Sequence, residues 1–442
     1  MYYLNIFGLS YKLVIILAYC HVNRTNIQNF QNIADMSVKS ITSTTALLAN
    51  ANTTPSKLLN GPGNRGTIAQ YFKQGRSSAV ASLDSQFEGT NDRPPGIINV
   101  NRPASASLSM TDSEVTYDIK DSYGGIPRYL KPKLRELGQF INNDVADILR
   151  TKTWRFYGDP ATPISTYFDL MSATTKLRLY GSTSGMAKAF IPSSIVPTIV
   201  QAGMADFTMK RGDKDAYNWE LSNSNDTDFY RCDFLPEQIA GTVGQTGTVL
   251  TVVSTVVDAN GGVIQILFSG AAASDPDAIR AGDKFQFNDS VAGQPNLRLV
   301  QFVGHGAIPH FVQNCALTNA ASDGAGNVLV TLVEPLQAAS GQLQNINNQI
   351  VAGMQVKFLH SHVVGMIMQG DPLMLAFAPL EKKEPFMSAS VTDPDTQVSL
   401  RLTYASEPFN SVFGWSYNAL YGMDLDADNA IALIFPSVSA AL

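Results

Sequence analysis

The run Thr248-Val249-Leu250-Thr251-Val252-Val253-Ser254-Thr255-Val256-Val257 decides the fold class, together with the Asp258-Ala259-Asn260-Gly261-Gly262 that closes it and the stretch from Val263 to Phe268 that answers it. Side chains branched at Cβ are stiff and pack well on a pleated surface, so such a run reads as a strand. Asn-Gly-Gly supplies the positive φ that a tight hairpin turn needs. The hairpin opens a longer region of the same character. From residue 242 to about 364 almost no helical period appears, and short apolar runs recur at 284–287, 297–303, 328–333 and 355–359, with Gly- and Asp-rich turns between them. Short strands at regular spacing predict a small β-barrel or sandwich.

On either side the pattern changes. Apolar core resumes at 363–368 and 373–377, so the β module reads as inserted between two halves of another domain. Upstream, residues 128–150 carry Leu134, Leu137, Ile141, Val145, Ile148 and Leu149 at three- and four-residue steps, with Arg135, Gln139, Asn142, Asn143 and Asp147 on the opposite side. That spacing predicts a long amphipathic helix, and Pro132 is tolerated near its start because the missing N–H would be unpaired there anyway. A second helix is expected over 164–177 behind the cap candidates Ser165 and Thr166, then a buried strand over 186–191 ending at Pro192, then a short helix over 193–201. Helices and strands of this kind give an α/β or α+β core.

The N-terminal part is polar and lacks sustained period. Residues 36–92 read as an extended arm with one short helix near 67–73. Residues 96–100 read as a strand, and 105–119 as a two-stranded excursion with Val115, Tyr117 and Ile119 on one face. The apolar stretch Leu4–Cys20 is broken by Ser10 and Lys12, is short of the roughly 20 residues a membrane span needs, and lacks the flanks of a signal peptide. Residues 1–35 are therefore expected to be an upstream extension outside the functional fold, with Met36-Ser37-Val38-Lys39 as a more ordinary start.

Composition excludes several function classes. The chain has 442 residues, 45% hydrophobic, so wholesale disorder is ruled out. Lys+Arg number 31 against 37 Asp+Glu, a net charge of −6, which does not favour a nucleic-acid-gripping face. Three cysteines, Cys20, Cys232 and Cys315, make no disulfide scaffold and suit a reducing compartment. Motifs that suggest chemistry fail on inspection. Gly61-Pro62-Gly63-Asn64-Arg65-Gly66 fits a dinucleotide fingerprint but follows no strand and holds a proline. Gly181-Ser182-Thr183-Ser184-Gly185 has threonine where a nucleophile elbow needs serine. His360 and His362 share a strand face, yet a zinc site needs further ligands, and His305, His310 and Cys315 qualify only by existing. Asp424, Asp426 and Asp428 begin like a calcium loop, but Asn429 and Phe435 stand where glycine and an acid belong, so a solvated acidic turn is expected. Lys120 and Asn142 would permit a Lys–Asn crosslink only if geometry joined them. No catalytic residue, cofactor site or metal site is nominated, and the chain is read as not an enzyme.

Five segments, in order, carry a resemblance: Ile97-Ile98-Asn99-Val100-Asn101-Arg102-Pro103; Arg128-Tyr129-Leu130-Lys131-Pro132 with Leu137 and Ile141-Asn142-Asn143-Asp144-Val145; Asp228 through Thr242; Ala281-Gly282-Asp283-Lys284-Phe285; and Gly370 through Phe386, Asp393–Thr396, Ser399-Leu400-Arg401, Phe413-Gly414-Trp415 and Tyr421-Gly422. Together they resemble the major capsid (coat) proteins of short-tailed double-stranded DNA phages, in the branch with a β-barrel inserted in the capsid fold. Gln238 and Ile239 depart from that family, which often has His and Thr there. The resemblance implies the tailed-phage (HK-ninety-seven-like) capsid fold: an upstream extension 1–35, an N-terminal arm 36–94, an E-loop hairpin 95–125, a spine helix with adjoining P domain 126–160, a P/A segment 161–241, an inserted β-barrel 242–364 and a C-terminal A/P segment 365–442. It further implies self-assembly into hexamers and pentamers of an icosahedral shell, through a scaffold-assisted precursor built in the host cytoplasm. The implied partners are other copies of itself, a scaffolding protein, a portal and packaged double-stranded DNA bound without sequence preference, and no membrane. Arm and hairpin are too polar to form a core alone and are expected to be ordered by neighbouring subunits. Another phage structural or surface-binding β-rich protein, a tail or decoration component, is the alternative.

Overall fold

The computed structural model describes residues 30–41, 45–59, 68–71, 73, 95–111, 129–160, 164–181, 185–201, 220–224, 227–288, 296–302, 304–339, 343–382, 387–407 and 412–437. Expectations that fall on Leu4–Cys20, Gly61–Gly66, Val115–Lys120 and Ser182–Ser184 lie outside these residues.

The long helix is Leu130–Lys152. All six residues of the expected stripe are buried, and Arg150 and Lys152 occupy its last turn, where cations suit the helix dipole. The expected polar side has one exception. Asn142 is buried and its amide donates to the Phe234 carbonyl at 3.4 Å, because the segment leading toward the hairpin runs over the helix there. Across the helix lies an antiparallel sheet built on the long strand Val412–Leu425. Arg102–Thr111 pairs with one of its edges, and Ser399–Glu407 and Leu373–Ala378 share the other. Met387–Thr392 pairs next to Ser399–Glu407. Asp144 on the helix joins the two layers, accepting from Arg102 Nη1 at 3.0 Å and from Tyr421 Oη at 2.8 Å.

A second, mixed sheet runs in the order Phe156–Tyr157, Ala430–Pro436, His362–Gln369, Ala187–Pro192, Thr227–Cys232, Glu220–Ser224. Its central strands are apolar on both faces, as buried strands are. Helix Tyr167–Leu179 packs on it, started by a capping box in which Thr166 and Asp169 satisfy each other's backbone N–H.

The β-rich region is a six-stranded antiparallel sheet in the order Gln313–Cys315, Lys284–Asn288, Gln355–Phe358, Val249–Val257, Val263–Ser269, Asn327–Leu336. Its two edges meet: Ala316 bridges Leu332, and the Leu317 N–H donates to the Thr331 carbonyl at 2.8 Å. Alternation fills the inside, with Leu250 and Val252, then Val328, Val330 and Leu332, facing inward. At its centre Phe285 lies 5.0 Å from Phe358 and 5.9 Å from Phe268, ring centroid to centroid. The expected hairpin is present, with Gly261 at φ 81°.

Three expectations need correction. Residues 68–71 form a strand, Ile68–Tyr71, paired with Gly96–Asn99, where a short helix was expected. Four residues hold no readable helical period, and this ribbon forms because its Ala69, Tyr71 and Ile98 cover Leu59 and Ala376 of the body. The described part of the arm is ordered by its own chain and not by neighbours alone. Phe30, Ala34, Val38 and Ile41 line one side of a helix over residues 30–41 and join the core of the long helix, and Leu47 and Leu48 follow them. Too few to make a core, these residues suffice to complete one; the helix also runs across the expected start at 35/36. The acidic turn is not solvated: Asp424, Asp426 and Asp428 are buried, with Tyr71 and Lys152 on Asp424 and the Arg155 guanidinium on the Ala427 and Asp428 carbonyls.

Candidate functional site: a buried joint

The chain passes into the six-stranded sheet after Glu237–Gln238 and out of it before His362–Gln369, and these two strands pair, Gln238 facing His362. At this point the C-terminus of the long helix meets Lys284–Asn288. A helix end leaves its last carbonyls without intrahelical donors. Lys284 Nζ supplies them, donating to Thr153 O at 2.7 Å and Arg150 O at 3.0 Å. The cation also suits the negative end of the helix dipole.

Around this lysine the polar groups form a chain. Arg150 Nη1 donates to Gln238 Oε1 at 2.7 Å and to the Ala281 carbonyl at 3.1 Å. Gln238 Nε2 donates to Asp283 Oδ1 at 2.6 Å. The other oxygen of Asp283 accepts the N–H groups of Arg280 at 2.8 Å and Gly241 at 2.9 Å. Burial raises the Asp283 carboxyl above the ordinary carboxylate range, and these hydrogen bonds offset only part of that rise. Burial lowers the Lys284 ammonium, and it raises the Cys315 thiol, whose sulfur lies 3.9 Å from Lys284 Nζ. A second buried lysine fastens the same seam from the other side. Lys176 Nζ donates to Phe156 O at 2.8 Å and to Gln313 Oε1 at 3.1 Å, and its burial, with Arg155 nearby, brings it down to about 7.

A charge cluster removed from water costs several kcal/mol per ion unless every partner is in place. Its hydrogen bonds are directional, so the cluster fixes the angle between the helix and the closed sheet. Chemically it is a clamp: Lys284 and Cys315 are both buried, and the raised thiol keeps its proton rather than acting as a nucleophile.

The residues weighed for metal binding do not come together. His362 is buried, its Nδ1 lies 2.6 Å from the His360 carbonyl, and burial drops its imidazole to about 4. His310 is half-buried beside Tyr180 and is likewise lowered to about 4. Among the described residues no group of three or more His, Cys, Asp or Glu could hold a metal ion, and no helix is long and apolar enough to cross a membrane. Sequence reasoning did not single out Arg150, Asp283 or Lys284 for this role. The one available signal is a charged pair, Asp283-Lys284, at the head of a strand that carries Phe285 and Phe287.

Solved structures with a similar chain include Mycobacterium phage Che8, with 7% identity and a TM-score of 0.40 over 88% of this chain and 90% of that one. The capsid structure of the cyanophage P-SCSP1u gives 10% identity and a TM-score of 0.35 over 84% of each chain. The capsid structure of Staphylococcus phage Andhra gives 7% and 0.31 over 89% and 84%. No family model matches the sequence, and no curated protein does.

Proposed function

We propose that this chain is a phage major capsid protein, a structural subunit that assembles with copies of itself into an icosahedral shell around double-stranded DNA. What supports the reading is where the resembling segments meet. Arg102 of the first, Asp144 of the second and Tyr421 of the last share one carboxylate oxygen. Gln238 and Gly241 of the third meet Asp283 of the fourth in the buried joint. Segments far apart in the chain thus hold one another at two polar contacts, which gives a stiff plate made of a helix and two sheets. A shell needs such plates, because one surface is used many times and modest contacts add up only if the subunit does not bend. The net charge of −6 suits a wall that encloses DNA without adhering to it.

In this reading residues 242–364 are the inserted barrel, and its aromatic centre stabilises the subunit before assembly. Assembly proceeds on a scaffolding protein in the host cytoplasm, with a portal at one vertex. The test is expression of the full chain with and without the scaffolding protein of its phage, followed by sedimentation and negative-stain microscopy. Closed particles of uniform size are expected. Fibres, or monomers that stay inert with the scaffold present, overturn the reading.

A further inference from the structure

The hairpin strand Val249–Val257 has an edge that no described element covers. On one side it is paired to its end: Ser254, Thr255, Val256 and Val257 face Leu267, Ile266, Gln265 and Val263. On the other side its ladder with Gln355–Phe358 stops at Thr251. The last backbone bonds there tie Val252 to Gly353 and Met354, at 2.8 Å each. Beyond Val252, among the described residues, no strand takes this edge. Val253, Val256 and Val257 along it are 43%, 45% and 55% exposed.

Edge strands in soluble proteins are blunted by lysine, proline, a bulge turned outward or a covering loop, because an open row of N–H and C=O groups recruits another strand. The sequence from Val249 to Val257 holds neither proline nor charge, and its one bulge, at Val253, lies before the stretch Ser254–Val256 that keeps regular register with Leu267, Ile266 and Gln265. The nearest charge is spent locally: Asp258 Oδ1 accepts the N–H groups of Asn260 at 3.0 Å and Gly262 at 2.7 Å inside the turn.

We propose that the edge Ser254–Val257 pairs with the same edge of a second copy, antiparallel about a two-fold axis, so that one sheet continues from copy to copy. The occupant follows from the composition of the edge. A two-fold contact must be self-complementary, and Ser254-Thr255-Val256-Val257 set against itself opposes no like charges and places Thr255 against Val256, both β-branched and suited to a pleated surface. The proposal rests on the self-assembling reading and adds a named contact to it.

Hydrogen exchange of the full-length protein tests it. The peptide covering Ser254–Val257 should exchange at least about tenfold more slowly in assembled than in dilute protein, and the variant S254K/V256K should lose that protection. Lysines on an edge repel a partner strand while leaving the inward residues untouched. Unchanged exchange of this peptide in assembled wild-type protein overturns the proposal, whatever the variant does. Closed particles with an unprotected edge refute the edge pairing and leave the shell reading intact. Protection at high concentration without closed particles does the reverse.

Discussion

The closed six-stranded sheet and the two-stranded ribbon of Ile68–Tyr71 with Gly96–Asn99 are both β-structure, held by opposite means. The sheet fills its own inside with Phe268, Phe285 and Phe358, which touch one another, in a cluster that continues into Trp154, Phe229 and Leu433 of the body. The ribbon has four residues per strand and borrows its core from Leu59 and Ala376. An isolated two-stranded piece is marginal in water, so the ribbon exists only where the body accepts it. It lies very close to that body. A methyl group at Gly422 would stand 2.3 Å from the Asn99 carbonyl oxygen, and one at Gly96 would enter the Tyr71 ring. Tyr71 Oη then reaches Asp424 Oδ2 at 2.9 Å. The sheet brings most of the side chains that bury it, and the ribbon is held at one place by the body it covers.

Perturbing each region separately sharpens this contrast. Phe285→Ala opens a cavity in the closed sheet and should cost about 3–5 kcal/mol; urea titration should show that loss while exchange of the ribbon amides stays unchanged. Lys284→Ala leaves the Arg150 and Thr153 carbonyls without donors and should cost about 3 kcal/mol. If its denaturation stays a single transition with unaltered m-value, the joint is not what couples sheet and helix.

Acid should act on the same joint. His362 stays neutral down to about 4 in the folded chain, against 6.5 for a free imidazole. The unfolded chain therefore takes up the proton first, and stability is lost as pH falls from 6.5 to 4, by at most on the order of 3 kcal/mol. His310 adds to it in the same direction and the same window. Melting temperatures between pH 7 and 4 should fall less steeply in His362→Asn; equal slopes would remove His362 from the account.

The ribbon offers the smaller effects. Gly422→Ala should push Asn99 away and cost about 1–3 kcal/mol, read as faster exchange at 96–99 with the closed sheet unaffected. Tyr71→Phe should cost about 1 kcal/mol, read by limited proteolysis of the ribbon. A melt of the closed sheet in either variant would show that the two regions are not independent.

What the sequence allowed to be read follows the same division. The helix stripe from Leu134 to Leu149 and the hairpin around Asn260-Gly261 are local patterns whose period or turn chemistry suffices, and both stand where expected. The ribbon is not legible locally because Ile68-Ala69-Gln70-Tyr71 becomes a strand only through partners nearly thirty residues away. The arm looked coreless because Phe30, Ala34 and Val38 are sparse, and their partners lie on the long helix. The joint was least legible. Lys284 finds its acceptor on Arg150, 134 positions earlier, and a charged side chain in a strand gives no sign of which distant carbonyl it will meet.

The pairing of Gln238 with His362 places the two ends of the β-rich region side by side on a single ladder. Neighbouring strands sit about 5 Å apart, a gap that one short turn can close. A recombination event could therefore excise the whole region, or splice in a foreign one, while leaving the remaining plate's path uninterrupted. Such a socket would let a lineage exchange this part wholesale, without redesigning its host.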